Sequence, residues 1–262
     1  MSESAAMGLY LYCISVQDPK AGPLIVAAPA LDGGAVRVIT CDGLAVAVHA
    51  CPVEPYHGSE DQVRSWIQAH NDVVTEVWKA VGTVLPMSFD SIIAGDSGRD
   101  AETVLADWID HNREALAEQL KELSGKVELG VRVYSEVAAE RGGTEESARG
   151  REYFRKQVQK RQETQDRQAR RNAEANRIFD ALSAQACAVR VNPPNPITPP
   201  AIGEGRQEML NVSVLVDGED VSEVGESLDE VCAKGYAVHF TGPWPPYSFA
   251  GTVRVSEDGS RQ

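Results

Sequence analysis

Few residues in this sequence have types and spacing that could carry chemistry. Gly95-Asp96-Ser97-Gly98 matches the tetrapeptide around the nucleophile of trypsin-like proteases, and His49 would be the base. A serine attacks only when a histidine takes its proton and a third group orients that histidine, on a scaffold that brings the three together. Here His49 and Ser97 share a stretch that mixes helix and strand patterns instead of two β-barrels, so the tetrapeptide reads as a polar loop ahead of a helix. Cys41, His49, Cys51 and His57 offer the sulfur and nitrogen ligands that zinc prefers, but without CxxC or HxxxH spacing they read as ordinary hairpin and loop residues. The glycine pairs Gly33-Gly34 and Gly142-Gly143 fit neither the P-loop nor the dinucleotide fingerprint. No two carboxylates can be assigned to one cleft as an acid and a base. The expectation is no catalytic residue, no metal and no cofactor.

Two other features suit binding. Residues 151–177 hold nine Lys/Arg against four Asp/Glu, a local charge of +5 that leaves −19 for the rest of the chain. Arg155 and Lys156 lie in this run as candidate protein contacts, to be weighed against a merely solvated helix. Residues 242–249 set Trp244, Tyr247 and Phe249 among prolines, which lower the entropy cost of presenting aromatic rings to a partner. The competing reading packs them back on the strand at 236–240, closing the second core.

Periodicity gives the elements that must position these groups. Residues 9–14 read as a buried first strand. Residues 35–39 and 44–49 flank Asp42-Gly43, a tight-turn dipeptide, and predict a hairpin. Residues 59–81 and 100–123 carry apolar residues at three-and-four spacing and predict two amphipathic helices, the first capped by Ser59. Between them Val84-Leu85-Pro86-Met87-Ser88-Phe89 predicts an edge strand or extended linker, and 127–134 a further strand. A long polar helix follows over 145–186, then strands at 186–191 and 210–216 around a proline-rich loop, a helix at 220–234 and a strand at 236–240. The fold class is α+β with two domains: an N-terminal ferredoxin-like sandwich over 1–140 and a C-terminal α+β domain with a long polar helix over 141–262.

Composition narrows the class. A net charge of −14 over 262 residues repels phosphate backbones and anionic lipid surfaces, so neither nucleic acid nor membrane is an expected partner. No apolar run approaches the roughly 20 residues that span a bilayer, and residues 1–8 lack the pattern of a signal peptide, so a cytoplasmic protein is expected. Five scattered cysteines read as reduced core residues.

Several stretches, in order, resemble the gas vesicle GvpF/GvpL family: Leu9-Tyr10-Leu11-Tyr12, Leu85-Pro86-Met87-Ser88-Phe89, Gly150-Arg151-Glu152-Tyr153-Phe154 with Lys156, and above all Thr241-Gly242-Pro243-Trp244-Pro245-Pro246-Tyr247-Ser248-Phe249. The resemblance implies two α+β domains and a non-enzymatic accessory role in building the gas vesicle shell. Its implied partners are the small shell protein GvpA and other accessory proteins, and its implied location is at gas vesicles. The chain departs from the family in the proline-rich insertion around 192–205 and the polar tail after Val255. The alternative is a small-molecule enzyme with a pocket between the two domains.

Overall fold

The structure is a computed structural model that describes residues 7–17, 20, 22–96, 98–136, 151–194, 199, 202–203 and 205–251; at 151–154 and 156 it describes the backbone alone. The fold is mixed α+β. Two compact units are formed by residues 1–127 with 244–262, and by 128–243.

In the first unit β1 (Met7–Val16) is the central strand, buried along its whole length between two exposed ends. β2 (Arg37–Cys41) and β3 (Leu44–Pro52) form the expected hairpin, with β3 antiparallel to β1. Asp42 and Gly43 both take positive φ, 46° and 84°, the geometry that lets a two-residue turn follow the strand twist. The other side of β1 is shared by two short strands: β4 (Val84–Pro86) pairs with Cys13–Ser15, and β5 (Ile92–Ala94) with Gly8–Tyr10. The extended reading of 84–89 is thus a three-residue strand; after Pro86, Met87 N–H donates to the Tyr12 carbonyl.

Helix α1 (Glu60–Val81) starts at a complete capping box, in which Ser59 and Gln62 satisfy each other's backbone N–H groups. Its buried stripe is His70, Val73, Val74 and Val77; Ile67 and Val81, counted from periodicity as core, are exposed. Helix α2 (Ala101–Glu122) is capped by Asp100 and buries Leu105, Ile109, Leu116 and Leu120. Both helices lie against β1.

The second sheet runs in the order β7-β8-β6-β9, from β6 (Lys126–Glu136), β7 (Ala188–Val191), β8 (Arg206–Asp217) and β9 (Ala237–Trp244). β6, read from sequence as the last strand of the first half, therefore pairs with the later strands; its alternation predicts a strand but carries no information about which sheet it joins. Gly130 on β6 is required by close approach, since a Cβ there would meet Thr241 Oγ1 at 2.5 Å. Helix α3 (Arg151–Gln185) packs on β8 through Ile178 and Leu182. Helix α4 (Val221–Ala233) buries Val224, Leu228 and Val231. Asp220 stands at its N-terminus without capping through its side chain.

None of the five cysteines is in a disulfide; Cys13 and Cys51 are buried and Cys41 half-buried, but Cys187 and Cys232 are exposed and so are not core residues. No helix among the described residues is long and apolar enough to cross a membrane.

Candidate functional site

The first unit holds an aromatic cluster with two histidines at its centre. Tyr10 and Tyr12 alternate onto one side of β1, where they meet His49 from β3, His70 from α1, and Tyr56 and Phe89 from loops. The backbone N–H donors favour one arrangement of the protons. Leu31 N–H donates to the Tyr12 hydroxyl (3.2 Å), whose own proton goes to His49 Nδ1 (3.0 Å). His49 is then the Nε2–H tautomer and donates to the Tyr56 hydroxyl at 3.1 Å. The second chain repeats the logic, from Asp90 N–H to the Tyr10 hydroxyl (3.1 Å) and on to His70 Nδ1 (2.8 Å). Asp90 holds φ at 69°, a left-handed conformation that costs a non-glycine residue about 1 kcal/mol. In that conformation its carboxylate also accepts from Tyr56 N–H at 3.2 Å.

Every shift in this cluster runs toward the neutral form. Burial lowers His70 from 6.5 to about 4, outweighing the Met87 carbonyl beside it, and burial also lowers His49, partly offset by Asp32. Burial raises the Tyr10 and Tyr12 hydroxyls and pushes Tyr56 up to about 12. The Cys13 thiol goes up for the same reason, and Cys51 rises to about 11. Activating a nucleophile requires the reverse, a thiolate or phenolate favoured at neutral pH. The chemistry here is structural: an uncharged network in which the Tyr10 and Tyr12 hydroxyls and both His49 nitrogens are hydrogen-bonded, while His70 Nε2 is buried without a hydrogen-bond partner among the described residues.

This arrangement was missed in the sequence, although a signal existed: His70 falls on the α1 stripe with Val73, Val74 and Val77, and a histidine on an apolar face needs a buried partner. The cysteines and histidines weighed as zinc ligands, and read as ordinary hairpin and loop residues, are spread along the hairpin. Cys41 pairs with Leu44 at the turn, whereas Cys51 pairs with Gly8, seven residues and roughly 23 Å further along β3. His49 accepts from Tyr12 at one ring nitrogen and donates to Tyr56 from the other. In the protease-like tetrapeptide Ser97 lies outside the described residues, and Asp96 is bound by Arg99 in an exposed turn.

The candidate binding residues go to different places. Trp244 ends β9 and is 48% exposed; Phe240, four residues earlier on the same strand, is 39% exposed. β9 is an edge of its sheet. Past buried Pro245 and Pro246, Tyr247 packs against the tyrosine–histidine core, with its ring 6.2 Å from that of His70. The tail therefore joins the first unit's core, in contrast to closure on the strand at 236–240. Phe249 is half-buried in the turn that follows, its N–H bonded to the Pro246 carbonyl. Arg155 is exposed on α3, and the Lys156 side chain lies outside the described residues, as do half of the insertion at 192–205 and the tail after Val255. A cleft of about 290 Å³ between α3 and α4 has Glu174 at its rim, paired with Arg177 at 3.0 Å and Lys234 at 4.0 Å.

Residues 8–251 match the family model described as gas vesicle synthesis protein GvpL/GvpF. The chain is 27% identical to gas vesicle protein L2 of Halobacterium salinarum, over 95% of this chain and 94% of that one. It is 30% identical to gas vesicle protein L of a Streptomyces species, over 92% of each. The crystal structure of gas vesicle protein GvpF from Anabaena superposes with a TM-score of 0.69 over 98% of this chain and all of that one; at 21% identity it speaks to the fold.

Proposed function

Since this chain belongs to the gas vesicle synthesis protein GvpL/GvpF family, we propose that it binds the small hydrophobic shell subunit GvpA, alongside other accessory proteins, and aids nucleation or assembly of the vesicle shell. A shell that excludes water on its gas side is built from apolar subunits, and their uncovered surfaces and strand edges aggregate before assembly. A soluble acidic partner, here at −14, keeps such a subunit dispersed until it is added. It acts in the cytoplasm at the growing vesicle, as a non-enzymatic partner, with a first unit of the ferredoxin-like kind.

The observation that carries this reading is the edge of β9, unpaired among the described residues, with Phe240 and Trp244 exposed on it. Strand addition at such an edge gives affinity through main-chain hydrogen bonds, while alternate side chains give specificity. Pro243 lacks an N–H, which confines pairing to the strand before it.

The test is co-purification of the tagged full chain with co-expressed shell subunit, comparing wild type with Phe240→Ala/Trp244→Ala. Circular dichroism confirms that the variant is folded. Loss of an aromatic anchor costs about 2 kcal/mol or more, roughly thirtyfold in affinity. Equal capture by both proteins refutes the β9 edge, and no capture by wild type refutes direct shell binding.

A further inference from the structure

Helix α3 has 35 residues and spans about 52 Å. Only its C-terminal part is packed: from 155 to 170 every described side chain is exposed, on all sides of the helix. A helix that is polar all round gains little from burial and relies on pairs one turn apart. Gln159–Glu163 at 3.0 Å and Gln168–Asn172 at 2.8 Å are such pairs. What this stretch displays is positive charge. Lys160, Arg167 and Arg170 fall within about 80° of arc. Arg155, Arg161, Arg167 and Arg170 have no ion pair with any described residue.

The opposite charge sits on α4 of the same unit. Glu223, Glu226, Asp229 and Glu230 are exposed and occupy about 120° of arc, opposite the buried Val224, Leu228 and Val231. With Asp217, Glu219 and Asp220 they make seven acids before the first basic residue, Lys234. Within one chain these surfaces do not meet, because α4 packs beside the C-terminal part of α3 while 155–170 stays exposed. The lengths also match: 155–170 covers about 24 Å and α4 about 20 Å.

We propose that the exposed basic half of α3 docks onto the acidic outer face of α4 in a second copy of this chain. At physiological salt the screening length is about 8 Å, so each face responds to the face opposite it more than to the net charge of the whole chain. The contact joins two different surfaces, so each copy in a pair still offers one of each, and association proceeds to a ring or an open chain.

Sedimentation velocity of the full chain tests this over a wide concentration range. At about 0.1 M salt the sedimentation coefficient rises with concentration, and at about 1 M, where the screening length falls to about 3 Å, it does not. Arg167→Glu/Arg170→Glu and Glu226→Lys/Glu230→Lys each weaken association at least about tenfold, while an equimolar mixture of the two variants restores it. Circular dichroism confirms that both remain folded. A wild type that is monomeric throughout, or variants that associate as wild type does, overturns the proposal. If a monomeric wild type instead binds polyglutamate or duplex DNA through Arg167 and Arg170, the helix serves an acidic partner or a nucleic acid, and docking of a second copy is wrong.

Discussion

Acidification should unfold this protein partly through His70, and the size of the effect follows from the buried ring. His70 is 2% exposed, accepts the Tyr10 hydroxyl proton, and titrates near 4 in place of 6.5. The folded state binds a proton there less readily than the unfolded chain does. Stability from the neutral ring is complete above pH 6.5 and is lost as pH falls from 6.5 to 4. Below that both states are protonated and the loss stays constant. At about 1.4 kcal/mol per pH unit the loss is about 2 kcal/mol at pH 5 and about 3 kcal/mol at pH 4. The neighbouring His49 shifts in the same direction and adds to it. Urea unfolding from pH 7.5 down to 4.5, on wild type and His70→Gln, separates this contribution from that of the carboxylates. The variant should be weaker at neutral pH, because the Tyr10 hydroxyl loses its partner, yet fall less steeply between pH 6.5 and 4. Equal slopes for the two proteins would refute the buried neutral histidine.

Ser59→Ala removes one arm of the α1 capping box and should cost about 1 kcal/mol in urea unfolding. Gly130→Ala sets a methyl 2.5 Å from Thr241 Oγ1 and should cost about 1–3 kcal/mol, with Thr241→Ala in the same chain recovering much of it; additive losses would contradict the close approach. Leu182→Ala removes a side chain that is 2% exposed where α3 meets β8 and should cost about 2–5 kcal/mol, read from the thermal midpoint.

Features set by neighbouring residues were legible in the sequence. The Asp42-Gly43 turn and the Ser59 cap each depend on a few adjacent side chains, and each stands where it was expected. Short elements were harder: β5 is three residues between Ser91 and Gly95, too brief to show a period. Long-range placement was not legible. An alternating strand such as β6 fits either sheet equally well, and nothing around Tyr247 announces that its ring packs among residues more than 150 positions earlier. For the candidate surfaces, the aromatic count in 242–249 was visible, but its division between exposed Trp244 and inward-facing Tyr247 depends on the turn at Pro245-Pro246. His70 was readable in principle, because its register on α1 left it no route to solvent.

The inward placement of Tyr247 also dictates an order of events during synthesis. A ribosome delivers the N-terminal residues first, yet a ring of the core built on β1 arrives only after the whole of 128–243 has been made. Until then the tyrosine–histidine cluster lacks one of its walls. Nascent chains stalled short of Tyr247 should be readily cut by protease in their first unit, and become resistant once the last described turn has emerged. Such late closure makes the integrity of the first unit depend on translation reaching Tyr247.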